Sequence, residues 1–366
     1  MSGFAQDAYS VGFYLENNQK IAALYKNNEM LYSIHKSSLN VVPKTISNDT
    51  VGNFYWMVNV FNGNSFRYTE VWKNDELYVT TEGLTGVRII DIYCSGDTLY
   101  YAGHYTNDNN ITVATVWKGT DFTTHWQLGD GTHSSFIYDA EVNQNTGIPY
   151  FCGNVTEENT NATVWEKSQI KYSYKPLDNI TWSVAREISI DNDSIFTLGY
   201  YDLDTGFGTY SFSAVWKNGN RVASFDEEDI VNCLCAYNDD FYYCYAWPHG
   251  MEYIVAKNAS ITTMLQFPMN GTMGANKIKA ISNAIYVLGV NGNEGCIWKN
   301  FEVFLQPENC KEVFDFVDFA CVLFWVCLCA SRPFRSCRSS QKRIFGHAGQ
   351  NRADQAKKLG VLHREY

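Results

Sequence analysis

The tripeptide Val71-Trp72-Lys73 returns as Val116-Trp117-Lys118, Val164-Trp165-Glu166, Val215-Trp216-Lys217 and Ile297-Trp298-Lys299. Weaker copies stand at Leu24-Tyr25-Lys26 and Val255-Ala256-Lys257, and successive centres lie 47, 45, 48, 51, 40 and 42 residues apart. A fixed interval of this size belongs to repeat architectures, in which each unit buries its apolar face only against its neighbours.

Upstream of the Trp runs a second recurring element, Leu99-Tyr100-Tyr101-Ala102-Gly103, Pro149-Tyr150-Phe151-Cys152-Gly153, Ile195-Phe196-Thr197-Leu198-Gly199 and Ile285-Tyr286-Val287-Leu288-Gly289. Aromatic and β-branched runs of this length read as strands. Turn residues precede them, as in Ser95-Gly96-Asp97, and Asn-rich stretches such as Thr106 to Asn110 separate them from the Trp strand as hairpin loops. A further run, Gly86 to Tyr93 or Ile230 to Cys235, leads into the next aromatic strand. Four antiparallel strands per interval with no helical pattern predict an all-β, seven-bladed β-propeller over residues 1–322, followed by a non-propeller tail over 323–366. The recurrent Trp is expected to pack between blades, each stabilising its interface by roughly 2 to 3 kcal/mol. Residues 312 to 322 are expected to pair with the strand near 8 to 15, sharing a blade between the two ends.

Residues 331 to 366 hold nine Lys or Arg against two acids, about +7, so with a net charge of −11 the rest of the chain carries about −18. So acidic a body excludes phosphate-backbone binding, and no nucleic-acid partner is expected. The eleven cysteines follow no framework spacing. Cys94, Cys152 and Cys244 read as small buried hydrophobes, and Cys233 with Cys235 could touch a metal only with ligands from elsewhere. No signal peptide is read at the N-terminus. Asn-x-Ser/Thr triplets at Asn48, Asn110, Asn154, Asn161, Asn179, Asn192, Asn258 and Asn270 are weak signs of an extracytoplasmic location, so the compartment stays open.

Three readings compete for the tail. It is a disordered basic appendage, partly helical at most; or a membrane anchor through Phe316 to Ala330, followed by Arg332, Arg335 and Arg338; or a segment from another reading frame. The uncharged part of the candidate anchor, Phe319 to Ala330, is twelve residues, against the roughly twenty that a span needs.

Motifs for chemistry are sparse: no phosphate-binding glycine loop, His-Glu-x-x-His helix or Gly-x-Ser-x-Gly elbow occurs. His104, His125 and His133 read as solvated loop histidines. Asp202-Leu203-Asp204-Thr205-Gly206 resembles the start of a calcium loop but lacks its later ligands, and Asp226 to Asp229 reads as a solvated acid run. No catalytic residue, metal ligand or cofactor is assigned.

The grammar of aromatic strand, glycine, polar hairpin and then Ala-Thr-Val-Trp-Lys (Ala114 to Lys118) or Ala-Val-Trp-Lys-Asn-Gly (Ala214 to Gly219) resembles that of uncharacterised secreted propeller repeat proteins, common in bacteria and found in some eukaryotes. The resemblance covers about residues 5 to 320 and implies a propeller with no assigned enzyme activity. The expected function is therefore a monomeric, non-enzymatic scaffold that binds a protein or glycan on one propeller face, with Trp126, Trp182, Trp247 and Tyr253 as candidate contacts. The alternative is a carboxylate-based glycan hydrolase or lyase in the central pocket, which requires acids from several blades to converge near the axis.

Overall fold

The computed structural model describes residues 7–174, 180–204, 209–225, 230–246, 253–258, 260–265, 272–281, 284–292, 294–300, 302–307 and 309–318. All described regular structure is β-strand, and all of it falls in one compact unit, Met1–Val322. The first strands are β1 (Ala8–Glu16), β2 (Gln19–Lys26) and β3 (Glu29–Ile34). Next come β4 (Asn40–Asn48), β5 (Phe54–Asn62), β6 (Ser65–Lys73) and β7 (Glu76–Thr80), then β8 (Arg88–Ser95), β9 (Thr98–Thr106), β10 (Thr112–Lys118) and β11 (Thr123–Gln127). The middle holds β12 (Ser134–Val142), β13 (Pro149–Thr156), β14 (Thr160–Glu166) and β15 (Gln169–Tyr174). It continues with β16 (Ile180–Asp191), β17 (Ser194–Asp204), β18 (Thr209–Lys217) and β19 (Asn220–Phe225). The last strands are β20 (Ile230–Tyr237), β21 (Asp240–Ala246), β22 (Tyr253–Lys257), β23 (Ser260–Leu265), β24 (Thr272–Ile281), β25 (Ala284–Gly292), β26 (Glu294–Lys299), β27 (Glu302–Leu305) and β28 (Glu312–Asp318).

These strands form a β-propeller. Five sheets are four-stranded antiparallel blades: β28-β1-β2-β3, β4 to β7, β8 to β11, β20 to β23 and β24 to β27. The seven blades expected from the repeat thus appear as five separate blades and one eight-stranded sheet, β12 to β19. A parallel bridge, Thr160 to Trp182, joins the two halves of that sheet. The expected pairing of the chain's ends is present, β28 lying antiparallel to β1 from Ala8–Asp318 to Phe13–Glu312. Phe316 to Asp318 therefore belong to a strand rather than to a membrane segment, and the rest of the tail lies outside the described residues. Among the described residues no helix is long and apolar enough to cross a membrane.

The recurrent motif is used up by architecture. Trp117 sits in the cluster of Tyr55, Met57 and Val71 from the preceding blade, and Trp165 against Tyr93, Ala102 and Val116. Trp216 stacks on Tyr174 at 4.8 Å, and Trp298 packs on Cys235 and Val255. The following Lys lies over the ring directly opposite on the aromatic strand: Lys73 over Tyr55 at 5.6 Å, Lys217 over Phe196 at 5.2 Å, Lys299 over Tyr286 at 5.4 Å. Each such contact is worth about 0.5 to 1 kcal/mol. The next residue, Asn74, Asn218, Asn258 or Asn300, has a left-handed backbone. Its N–H donates to the carbonyl at the start of the aromatic strand, and its side-chain oxygen accepts the N–H of the same residue, as for Asn74 with Phe54.

The strand glycine has a steric cause. The innermost strands carry β-bulges, and a Cβ on Gly153 would stand 1.8 Å from the Phe136 carbonyl oxygen of the bulged strand β12. Gly103 and Gly199 meet the Arg88 and Val184 carbonyls in the same way, at 2.1 and 1.9 Å. Gly153→Ala should therefore destabilise the protein by about 1 to 3 kcal/mol. Gly63→Ala, with open space around it and only a φ of 59° to resist it, should cost about 1 kcal/mol. Urea midpoints of the two variants against the parent check the ordering.

Candidate functional site

The bulges also build the site. In each innermost strand the register shifts by one residue, and the residue after the shift is Thr45 in β4, Asp91 in β8, Asp139 in β12, Glu187 in β16, Cys233 in β20 and Lys277 in β24. Asp315 of β28 stands at the matching shift against β1. All of these except Cys233 line a cavity of about 700 Å³, which extends along the innermost strands past Glu141, Ser189, Cys235 and Lys279 to Asp49, Thr50, Gly96 and Gln144 near their ends. A bulge re-aims one side chain of an otherwise alternating strand. Repeated around the ring, it brings Thr45, Asp91, Asp139, Glu187, Lys277 and Asp315 to one cavity.

These side chains bind the next strand along. Asp91 accepts the Ala140 N–H at 3.3 Å, Asp139 the Ile188 N–H at 3.0 Å, Glu141 the Ile190 N–H at 3.1 Å and Glu187 the Leu234 N–H at 2.6 Å. Asp315 accepts both the Ile46 N–H at 3.1 Å and the Thr45 hydroxyl at 3.0 Å. Between β24 and β28 the link is ionic, with Lys279 Nζ 2.5 Å and Lys277 Nζ 3.9 Å from the Asp315 carboxylate.

The protonation of this set is divided. Burial raises Asp139 to about 7, with the Asp91 carboxylate adding to the rise and Lys277 opposing it. Burial and the charge of Asp139 raise Glu141 to about 8, against the pull of Lys277 and Lys279. Glu187 is pushed well above the ordinary carboxylate range by burial first and by Cys233 and Asp139 next. Burial alone would raise Asp315, but Lys277 and Lys279 hold it below that range. The cavity wall thus carries carboxyl groups that keep a proton near neutrality and one that does not, a division suited to acid–base work.

Apart from Cys233 and Cys235, none of these residues was singled out by the sequence reading. Their signal was a polar residue inside an apolar run, as in Ile89-Ile90-Asp91-Ile92, recurring once per interval. The proposed aromatic contacts fall elsewhere. Trp126 lies in β11, half-buried and stacked on Tyr100 at 6.1 Å with an interplanar angle of 4°. Trp182 is exposed in β16 at the bridge to β14. Tyr253 begins β22, its side chain lying outside the described residues, as does Trp247.

Two of the three histidines differ from the solvated loop reading. His104 belongs to β9, half-buried with its ring 5.3 Å from Phe136, and burial followed by the Arg88 charge lowers it to about 4. His125 packs 4.2 Å from Trp126, whereas His133 is exposed and bonds Asp130 at 3.0 Å. Asp202 accepts the Ser211 hydroxyl across the β17–β18 hairpin, while 205–208 and the acid run 226–229 lie outside the described residues. No group of three or more His, Cys, Asp or Glu placed to hold a metal occurs among the described residues. Of the sequons, Asn110 is exposed at a hairpin tip, whereas Asn154 is buried.

No family model and no curated protein matches the chain. Solved structures do. The periplasmic gluconolactonase PpgL of Pseudomonas aeruginosa superposes over 86% of this chain and 99% of its own, with a TM-score of 0.50 at 11% identity. Apo AztD of Citrobacter koseri covers 86% of this chain and 98% of its own, with a TM-score of 0.44 at 7% identity. The α-L-arabinofuranosidase Arb93A of Fusarium graminearum covers 81% and 97%, with a TM-score of 0.43 at 9% identity. At these identities the likeness concerns the fold alone.

The divided protonation has a consequence for stability. Asp139 and Glu141 keep their protons in the folded chain up to about pH 7 and 8, whereas unfolded carboxyls release them near pH 4. Between those limits the folded state binds more protons, so stability falls as pH rises. The melting temperature is expected to drop between pH 5 and pH 8.5, and Glu141→Gln should flatten that drop when both proteins are scanned by calorimetry.

Proposed function

We propose that β12–β15 and β16–β19 are two blades joined by the Thr160–Trp182 bridge, which makes the ring seven-bladed. We propose also that its central cavity is the active site of a carboxylate-dependent enzyme that hydrolyses or eliminates a bond in a sugar-derived substrate. One observation carries the second reading: Asp139, Glu141 and Glu187, from neighbouring innermost strands, line one cavity with carboxyl groups raised toward or above neutrality. This convergence favours the enzyme over the binding scaffold, since a cavity with few but convergent titratable groups is the usual form of a small-molecule site.

In this reading Glu141, protonated at neutral pH, is the general acid that protonates a leaving oxygen. Asp139, balanced near neutrality, takes a proton from water in hydrolysis or from carbon in elimination. Glu187 orients substrate hydroxyls, and the cavity is wide enough for one or two sugar rings. The fold shared with a gluconolactonase makes sugar lactones the first substrates to try, followed by aryl glycosides and polyuronates.

The purified chain should turn over at least one of these three classes. Asp139→Asn and Glu141→Gln should each lower kcat by about 10²- to 10⁴-fold with near-ultraviolet dichroism unchanged. Absence of turnover across all three classes, or full activity in both variants, rejects the enzyme.

A further inference from the structure

We propose that Lys277 is the positioning residue of this cavity, a single ammonium at the propeller axis that serves as shared counter-ion to carboxylates from four strands. The proposal rests on the catalytic reading of the cavity for its functional meaning, though not for its geometry.

Lys277 follows the bulge of β24, and its side chain is about one quarter exposed. It stands 3.9 Å from Asp315 on β28, and it interacts electrostatically with Asp139, Asp91 and Glu187 on β12, β8 and β16 as well. Burial opposes its charge, yet these four acids together keep it protonated. The neighbouring cation on its own strand is Lys279, already drawn to Asp315 at 2.5 Å. The strands packed on β24 add thiols and one more acid: burial raises Cys233 and Cys235 of β20, so they are uncharged, and Glu312 of β28 accepts the Asn276 amide. Lys277 is thus the cation whose charge reaches acids on four strands, while Lys279 is bonded to Asp315 and acts also on Glu141. An ammonium favours the ionised form of each carboxylate it interacts with. With it in place, Asp139 is balanced near neutrality. Without it Asp139 would keep its proton to higher pH, and the base assigned to the cavity would be lost.

The test is carboxyl titration of the full chain, ¹³C-labelled at Asp or at Glu side chains, followed by NMR. In folded Lys277→Met the midpoints assigned by Asp139→Asn and Glu187→Gln controls should rise by about one pH unit or more, and Lys277→Arg should return them toward the parent. If Lys277→Met does not fold, the charge-balanced double variant Lys277→Met/Asp315→Asn takes its place, with the same rise expected. Unchanged midpoints in whichever of the two folds would overturn the proposal and leave Lys277 a packing residue. The pH–rate profile separates this from the enzyme reading. If the cavity is catalytic, the acidic limb of the profile, set by the base Asp139, moves to higher pH in Lys277→Met. If no substrate is turned over, the titration still decides the role of Lys277.

Discussion

Apart from the single bridge between β16 and β14, the innermost strands of this ring have one edge without a strand partner, and the backbone N–H groups along that edge must find acceptors. A buried, unmatched N–H costs about as much as a lost hydrogen bond. The chain solves this with side chains: Asp315 to Ile46, Ser47 to Cys94, Asp91 to Ala140, Asp139 to Ile188, Glu187 to Leu234 and Ser189 to Ala236. Acceptor and donor are almost one repeat interval apart in most of these pairs. The interval visible in the sequence therefore measures the step from one strand's acceptor to the next strand's donor, as well as the spacing of the Trp residues. Because a carboxyl group keeps an oxygen acceptor for an N–H whether or not it holds its proton, the same requirement lines the axis with acid.

Much of the architecture could be read from the chain. The Trp positions marked the packing of sheet on sheet, and the unmatched ends marked the pairing of β1 with β28. The short outermost strands, such as β7, β11 and β27, escaped because exposed residues like Glu76, Thr123 and Glu302 give no alternation against a core. The fusion of two strand sets into one eight-stranded sheet rests on a single bridge, which no local pattern encodes.

The candidate site was hidden for a related reason. Sequence reading looks for reactive groups in loops, and here they lie inside strands, where Asp91, Asp139 and Glu187 look like interruptions of an apolar run. Their shared face follows from the one-residue slip at each bulge, which reverses the side to which later residues point. The aromatic candidates drew attention because they broke the Trp period, yet Trp126 stacks within its own blade. The conspicuous motif is thus committed to holding the ring, and the residues with chemistry are the inconspicuous ones.

The pairing of β28 with β1 bears on how the protein is made. A ribosome releases β1 some three hundred residues before β28, so the first blade stays incomplete for nearly the whole of synthesis, and Ile46 waits as long for the carboxylate of Asp315. During that interval the edge of β1 is open to any extended segment nearby, including β1 of another nascent chain on the same message. The strand that closes the ring is also the one that sets the cavity's ion pair, so the electrostatics of the axis are assembled last, together with the closed ring.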